Sequence, residues 1–161
     1  MAVSLSLWFA GCASRPRAQI PVPADFKPDD ALITQRGVLT VLGRQFTLNG
    51  YLASSSTHGQ RLVITENFGN VLADVLIKPD GQAYVMRSSR AFKPRWIHDY
   101  IAADVRCLFG GGMEGNCPGR LISTNHFVVE RRWYTLDLQI IDRKPGPQRA
   151  EMFDASKAEK R

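Results

Sequence analysis

From Arg36 to about residue 88, apolar and polar residues mostly alternate with a period of two, which predicts β-strands. Short polar or glycine-containing turns separate five strand-like runs, which read GVLTVL, RQFTLNGYLA, QRLVITE, VLADVLI and QAYVMRS. In the turn KPDG, Pro79 presets φ and Gly81 tolerates a positive φ. Because the connections are short, we expect these five strands to form an antiparallel meander.

The pattern changes to a helical spacing after Pro94, a residue that fits the first turn of a helix. A helix of about 15 residues then carries an apolar stripe on one face. The stripe contains Trp96, Ile97, Tyr100, Ile101, Val105 and Leu108. The glycine run 110–112 is expected to end the helix, and Asp99 and Asp104 are expected to be solvated or capping charges.

Two more strand-like segments follow the helix, NHFVVERR and WYTLDLQIID, and KPGP is expected to end the second. The fold predicted from these patterns is mainly β, with a curved antiparallel sheet of seven strands against one amphipathic helix. Such a helix covers only part of the concave face, so an apolar, lipid-sized cavity is expected between the two. Its predicted lining is Trp96, Ile97, Tyr100, Ile101, Val105, Phe46, Leu48, Leu62 and Ile64. The alternative is a completely filled core.

The N-terminal stretch LWFAGCAS places Cys12 directly after an apolar run that ends in small residues. Phe9-Ala10-Gly11-Cys12 resembles the bacterial lipobox, in which a signal peptide is cleaved before a cysteine that carries acyl chains. We therefore expect a signal peptide at 1–11 and lipidation of Cys12. The alternatives are a buried N-terminal strand or a stray cysteine.

Residues 12–31 contain four prolines and are expected to form an extended tether to the folded domain. One globular domain is predicted over 32–145 and a polar C-terminal tail over 146–161, since 161 residues with 44% hydrophobic content support a single sizeable core. The net charge of +6 comes from scattered basic residues without a nucleic-acid motif. Nucleic acid is not an expected partner, and anionic lipid suits this charge at least as well.

The other two cysteines, Cys107 and Cys117, flank a glycine-rich loop. A disulfide between them suits an oxidising periplasm, and the alternatives are two free thiols or a metal site with His98 and His126. The cysteine spacing matches no common zinc pattern. We predict the disulfide, and neither a metal ion nor a cofactor.

Catalytic constellations are weak in this sequence. His58 lies beside serines in SSSTHG without a nearby acid, and Cys107 is expected at a helix C-terminus, which raises a thiol pKa. The glycine run lacks the lysine of a phosphate-binding loop. The sequence therefore predicts a non-catalytic protein.

The segment RLVITENFGNVLADVLIKPDGQAYV, together with the order of elements over Leu32 to Asp142, resembles the Lol-type lipoprotein carriers and receptors. It is most similar to the small lipoprotein family that accompanies aryl-polyene pigment gene clusters. The residues that match the family's turn of the type Thr-Asn-aliphatic-Gly are Thr65, Asn67, Phe68 and Gly69, with Glu66 inserted.

The resemblance implies a half-open barrel closed by a helix lid, with an apolar interior for acyl chains. It also implies that Phe68 contacts a membrane or cargo, although this side chain could instead fold back on the core. Because Ala13 is not the acidic residue that retains lipoproteins in the inner membrane, a periplasm-facing outer-membrane location is expected. The expected partners are a hydrophobic ligand, the outer-membrane bilayer through the acyl anchor, and a periplasmic carrier protein. The alternative function is a structural or interaction lipoprotein without a ligand.

Overall fold

The computed structural model describes residues 30–110 and 118–158, and it confirms a mainly β fold with a helix against an open antiparallel sheet. The eight strands are β1 (Ala31–Val41), β2 (Arg44–Ser55), β3 (Gly59–Glu66), β4 (Val71–Ile77), β5 (Ala83–Ser88), β6 (Gly119–Ser123), β7 (His126–Glu130) and β8 (Tyr134–Pro145). The signal peptide, the lipidated Cys12, the tether up to residue 29 and Cys117 lie outside the described residues. The Cys107–Cys117 disulfide therefore stays a prediction.

The strands are ordered β5-β4-β3-β2-β1-β8-β7-β6, and every neighbouring pair is antiparallel. Two meanders, β1–β5 and β6–β8, are joined where β1 pairs with β8 in the middle of the sheet. The chain must therefore cross from the edge strand β5 to the other edge strand β6. The helix makes this crossing over one face, which we call the inner face.

The helix covers residues 94–109 in three consecutive parts: α1 (Pro94–Trp96), a π-helical turn (Ile97–Ile101) and α2 (Ala102–Phe109). Pro94 occupies the first turn, as predicted, and the N–H of Gly110 closes the last turn on the carbonyl of Arg106. The apolar stripe packs on the inner face, where Ile97 is fully buried. None of the described helices is long and apolar enough to cross a bilayer.

The outer face of the sheet carries a second, smaller core formed by Ala53, Leu76, Met86 and Phe153. Phe153 belongs to one of two short 3₁₀ turns, Ala150–Phe153 and Ala155–Lys157, in the segment expected to be a polar tail. Backbone carbonyls of this segment accept hydrogen bonds from the sheet: Arg61 donates to Met152 at 2.8 Å, and Lys78 donates to Phe153 at 2.6 Å. The C-terminal segment is thus part of the fold.

The sheet has one strand more than the seven predicted, and some strand ends differ. The additional strand, β6, is only five residues long and mostly exposed, so it lacks a clear alternation. The first strand begins at Ala31, before the run GVLTVL, because Ala31 and Ile33 are already buried on the inner face. The last strand continues to Pro145, whose backbone lies opposite Ala31.

Candidate functional site

A small apolar cavity lies between the helix and the centre of the sheet. Its volume is about 70 Å³. Gly37, Gly50 and Val105 belong to its lining. Ligand pockets usually measure about 300–1,000 Å³, so this cavity is much smaller than the lipid-sized space expected from the sequence.

Most of the residues predicted to line the cavity do so, and three lie elsewhere. Those that line it are Trp96, Ile101, Val105, Leu48, Leu62 and Ile64. Ile97 is buried in the surrounding core. Tyr100 packs its ring against Trp96 and Tyr134, with centroid separations of 5.8 and 6.1 Å. Phe46 is half-exposed in a separate, larger space.

That larger space is an open groove of about 910 Å³, which we call the mouth groove. It lies where the β1–β2 and β3–β4 turns approach the start of the helix. Its apolar lining consists of Leu39, Val41, Leu42, Phe46, Leu48, Phe68, Leu72, Ala91, Phe92, Trp96 and Trp133. Its polar lining consists of Gln45, Thr47, Glu66, Asn67 and Lys93. Leu39, Leu48, Phe92 and Trp96 also line the small cavity, so the two spaces adjoin.

Exposed apolar side chains are concentrated in this groove. Seven large apolar residues are exposed in the described part of the chain, and four of them line the groove. Their exposed fractions are 92% for Phe68, 85% for Leu42, 53% for Trp133 and 49% for Phe46. Contiguous exposed apolar surface of this kind marks binding sites for ligands, membranes or proteins.

Leu42 is unusual in its backbone as well as in its exposure. It forms the two-residue β1–β2 turn with Gly43, and φ is +49° at Leu42 and +78° at Gly43. Asparagine, aspartate and glycine favour such a turn, whereas leucine is strained at positive φ. Neither burial nor backbone preference explains a leucine here, which points to a role outside the domain's own core.

Phe68 is placed by the β3–β4 turn. Gly69 takes a φ of +83°, and its N–H donates to the carbonyl of Glu66 at 2.9 Å. The tight turn leaves the phenyl ring in solvent instead of against the core. The alternative position raised by the sequence, folded back on the core, is not the one observed.

Asp104 differs from its sequence-based interpretation as a solvated or capping charge. Only 4% of this residue is exposed, and its carboxylate accepts hydrogen bonds from Arg131 and from the hydroxyl of Tyr134. Burial raises the pKa of Asp104, and these hydrogen bonds oppose part of the rise. Burial and the neighbouring carboxylate also raise the pKa of Tyr134. The hydrogen bonds among these three side chains attach α2 to the start of β8.

The other candidate chemical residues do not converge. The His58 ring stacks on Phe153 at 5.7 Å, and Cys107 packs against the core. His98 and His126 lie on different elements and contact different aspartates, Asp99 and Asp137. Within residues 30–110 and 118–158, no three histidine, cysteine, aspartate or glutamate side chains are placed to hold a metal ion.

The chain matches no protein-family model and no curated protein. The mouth groove therefore provides the basis for assigning a function. Its signal was partly visible in the sequence, since Leu42, Phe68 and Trp133 are large apolar residues in polar or glycine-containing turns. Phe68 alone was predicted, because the alternation of the strands does not reveal which turns meet at one end of the sheet.

Proposed function

We propose that this protein is a non-catalytic lipoprotein of the bacterial cell envelope, whose mouth groove binds an acyl lipid or another hydrophobic ligand. The observation that carries the proposal is the groove itself. A volume of about 910 Å³ falls within the range of known ligand pockets, and most of the lining is apolar. Covering exposed side chains such as Phe46 and Phe68 with an acyl chain removes apolar surface from water, at about 25 cal/mol per Å².

The anchor at Cys12 is compatible with a groove that faces the membrane. Asp30, where the described fold begins, precedes β1, whereas Leu42 follows the other end of this 11-residue strand. At about 3.3 Å per residue, the two ends are about 36 Å apart. The eighteen residues from Cys12 to Asp30 reach up to about 60 Å when extended, so an acylated Cys12 and the groove can meet the same bilayer.

In this proposal the protein faces the periplasm from the outer membrane and exchanges its ligand with the bilayer or with a periplasmic carrier protein. The competing candidate is a structural or interaction lipoprotein that binds no ligand. The cavity beneath the helix measures only about 70 Å³, too little for a lipid, and this favours the function without a ligand inside the fold. The two functions therefore differ in whether the mouth groove is occupied.

Ligand binding is tested with the full chain carrying Cys12→Ala, which removes the acylation site. Solvent extraction and mass spectrometry are expected to detect co-purified lipid. Titration with a fluorescent fatty-acid analogue is expected to change the emission of Trp96 and Trp133, both in the groove lining. Extracts without lipid, together with unchanged tryptophan emission, would favour the interaction function.

The anchor is tested separately with the unsubstituted chain. Labelled palmitate is expected to be incorporated at Cys12, and the protein is expected to enter the detergent phase in a phase-separation experiment. Cys12→Ala is expected to move it to the aqueous phase. Unchanged partition and no label would refute the lipoprotein part of the proposal while leaving ligand binding open.

A further inference from the structure

We propose that the end of the sheet that carries the mouth groove docks on an anionic lipid bilayer. This end, called the mouth end, comprises residues 41–47, 66–72, 88–95 and 130–134. Antiparallel pairing brings these four segments together, because each contains a strand end that lies on the same side of the sheet. The inference extends the proposed function but does not require that a ligand enters the groove.

The first observation is that four apolar side chains project from the mouth end. Leu42, Phe68 and Trp133 belong to three different turns, and Phe46 lies near the start of β2. Tryptophan is enriched at the boundary between membrane and water, and the guanidinium of Arg132 lies 5.0 Å from the centre of the Trp133 ring. An apolar body beside a cation suits the interface of a bilayer.

The second observation is the charge around these side chains. Arg95, one of five exposed cations at the mouth end, pairs with Asp99 at 3.3 Å. The other four are Arg44, Arg90, Lys93 and Arg132. None of the four makes an ion pair with any described residue. Of the two acidic residues at this end, Glu66 accepts a hydrogen bond from Asn70, and Glu130 also has an interaction. The four cations are thus available to an external anionic partner.

Three cations towards the opposite end of the sheet are engaged within the protein. Lys78 donates to the carbonyl of Phe153, Arg106 donates to the carbonyl of Gly81 at 3.0 Å, and Lys144 lies 3.5 Å from Asp142. At the mouth end, four cations without an ion pair therefore lie next to exposed apolar side chains. This combination fits a surface that is both anionic and able to accept apolar groups, which is a bilayer containing anionic lipid.

Docking in this orientation opens the mouth groove towards the acyl chains. Each basic residue held near an anionic membrane strengthens binding by about fivefold. Attraction of this kind is screened by salt. The apolar side chains then insert, which adds a contribution that salt does not screen.

The test uses the full chain with Cys12→Ala and sedimentation with two kinds of vesicle. One kind contains only phosphatidylcholine, and the other contains phosphatidylcholine mixed with phosphatidylglycerol. Binding is expected to favour the anionic vesicles and to fall as salt is raised. Changing Arg44, Arg90, Lys93 and Arg132 together to glutamine is expected to reduce anionic binding by at least a hundredfold, at about fivefold per charge.

The matched control removes four exposed cations away from the mouth end, at Arg36, Lys144, Arg149 and Lys157. Both quadruple variants have the same net charge, and near-ultraviolet circular dichroism checks their folding. The affinity of the control variant for anionic vesicles is expected to stay within about fivefold of the wild type, which is the effect of one charge. Equal losses in the two variants, or no preference for anionic vesicles, would overturn the docking proposal.

The fluorescent fatty-acid titration separates this inference from the proposed function. For this comparison a triple variant changes Arg44, Arg90 and Arg132 to glutamine, none of which lines the groove, and it is expected to bind that analogue while losing the vesicles. Vesicle docking by a chain that binds no analogue would refute ligand binding alone. Analogue binding without anionic vesicle docking would refute docking alone.

Discussion

Asp104 of α2 and Arg131, which immediately follows β7, form an ion pair between the helix and the sheet. Arg131 donates through Nε at 2.9 Å and through a terminal nitrogen at 2.5 Å to the same carboxylate oxygen, Oδ1. The hydroxyl of Tyr134 donates to the other oxygen, Oδ2. The Arg131 guanidinium also lies 5.5 Å from the centre of the Tyr100 ring, on the helix. Polar contacts, as well as apolar packing, therefore hold the helix on the inner face.

Asp104→Ala is expected to lower the free energy of unfolding by about 2–4 kcal/mol, because it leaves the guanidinium of Arg131 and the hydroxyl of Tyr134 without their acceptor. Urea denaturation measures the change. Arg131→Gln is the matched single substitution, and the double variant is expected to be less destabilised than the sum of the two. Additive losses would show that the ion pair does not act as a unit.

Asp104 is also expected to make stability depend on pH. Burial raises its pKa in the folded protein above the ordinary value of 3.8, so the native state binds this proton more tightly than the unfolded chain does. The stabilisation that comes from the protonated Asp104 carboxyl is fully present below pH 3.8, and it is lost as pH rises through the pKa of the folded protein. Relative to Asp104→Asn, wild-type stability is therefore expected to fall with rising pH in that window. Urea denaturation across mildly acidic pH measures both proteins, and parallel curves would contradict the expectation.

Phe46 provides a selective test of the mouth groove. Phe46→Glu is expected to weaken binding of the fluorescent fatty-acid analogue by at least about tenfold, since it places a charge in an apolar lining. Tyr51→Glu is the matched control, because Tyr51 is exposed to a similar extent on the same strand but points to the other face. Both variants are expected to remain folded by circular dichroism. Equal weakening in the two would show that the analogue binds elsewhere.

Phe68 provides the corresponding test at the membrane. Phe68→Asp is expected to reduce sedimentation with anionic vesicles by about tenfold or more, because an inserted phenylalanine recovers about 1.5–3 kcal/mol of transfer free energy. The melting temperature is expected to stay close to that of the wild type, since the side chain is 92% exposed. Ile141→Asp, at an exposed position on β8, is the control. Unfolding of the Phe68 variant would instead identify the side chain as part of the core.

The alternation of apolar residues was sufficient to predict most of the strands, because one face of each is buried against the helix. It failed at β6, where the inner face contributes few buried side chains, and at the start of β1, where the buried Gln35 interrupts the apolar pattern. Asp104 was misread because its partners, Arg131 and Tyr134, are 27 and 30 residues away in the sequence.

The mouth groove, like the Asp104 contacts, is formed by residues that lie far apart in the sequence. Leu42 and Trp133 are more than ninety residues apart, yet both line one groove. Their proximity follows from the pairing of β1 with β8, which local sequence patterns do not contain. A reading based on turns alone identifies Phe68 as an exposed residue but cannot group it with the other two.

Two glycines with positive φ provide a test of the backbone at opposite ends of the sheet. At Gly59, where φ is +98°, an added Cβ would lie 2.1 Å from the carbonyl oxygen of Ile77, which is held by strand pairing. At Gly43, where φ is +78°, an added Cβ would meet nothing within 4 Å. Gly43→Ala is therefore expected to lower the free energy of unfolding by about 1–2 kcal/mol, the strain of a left-handed residue alone. Gly59→Ala is expected to lower it by at least about 3 kcal/mol, since the β3–β4 pairing must also shift. Urea denaturation of the two variants measures the difference, and equal losses would mean that the close contact at Gly59 relaxes without disturbing the sheet.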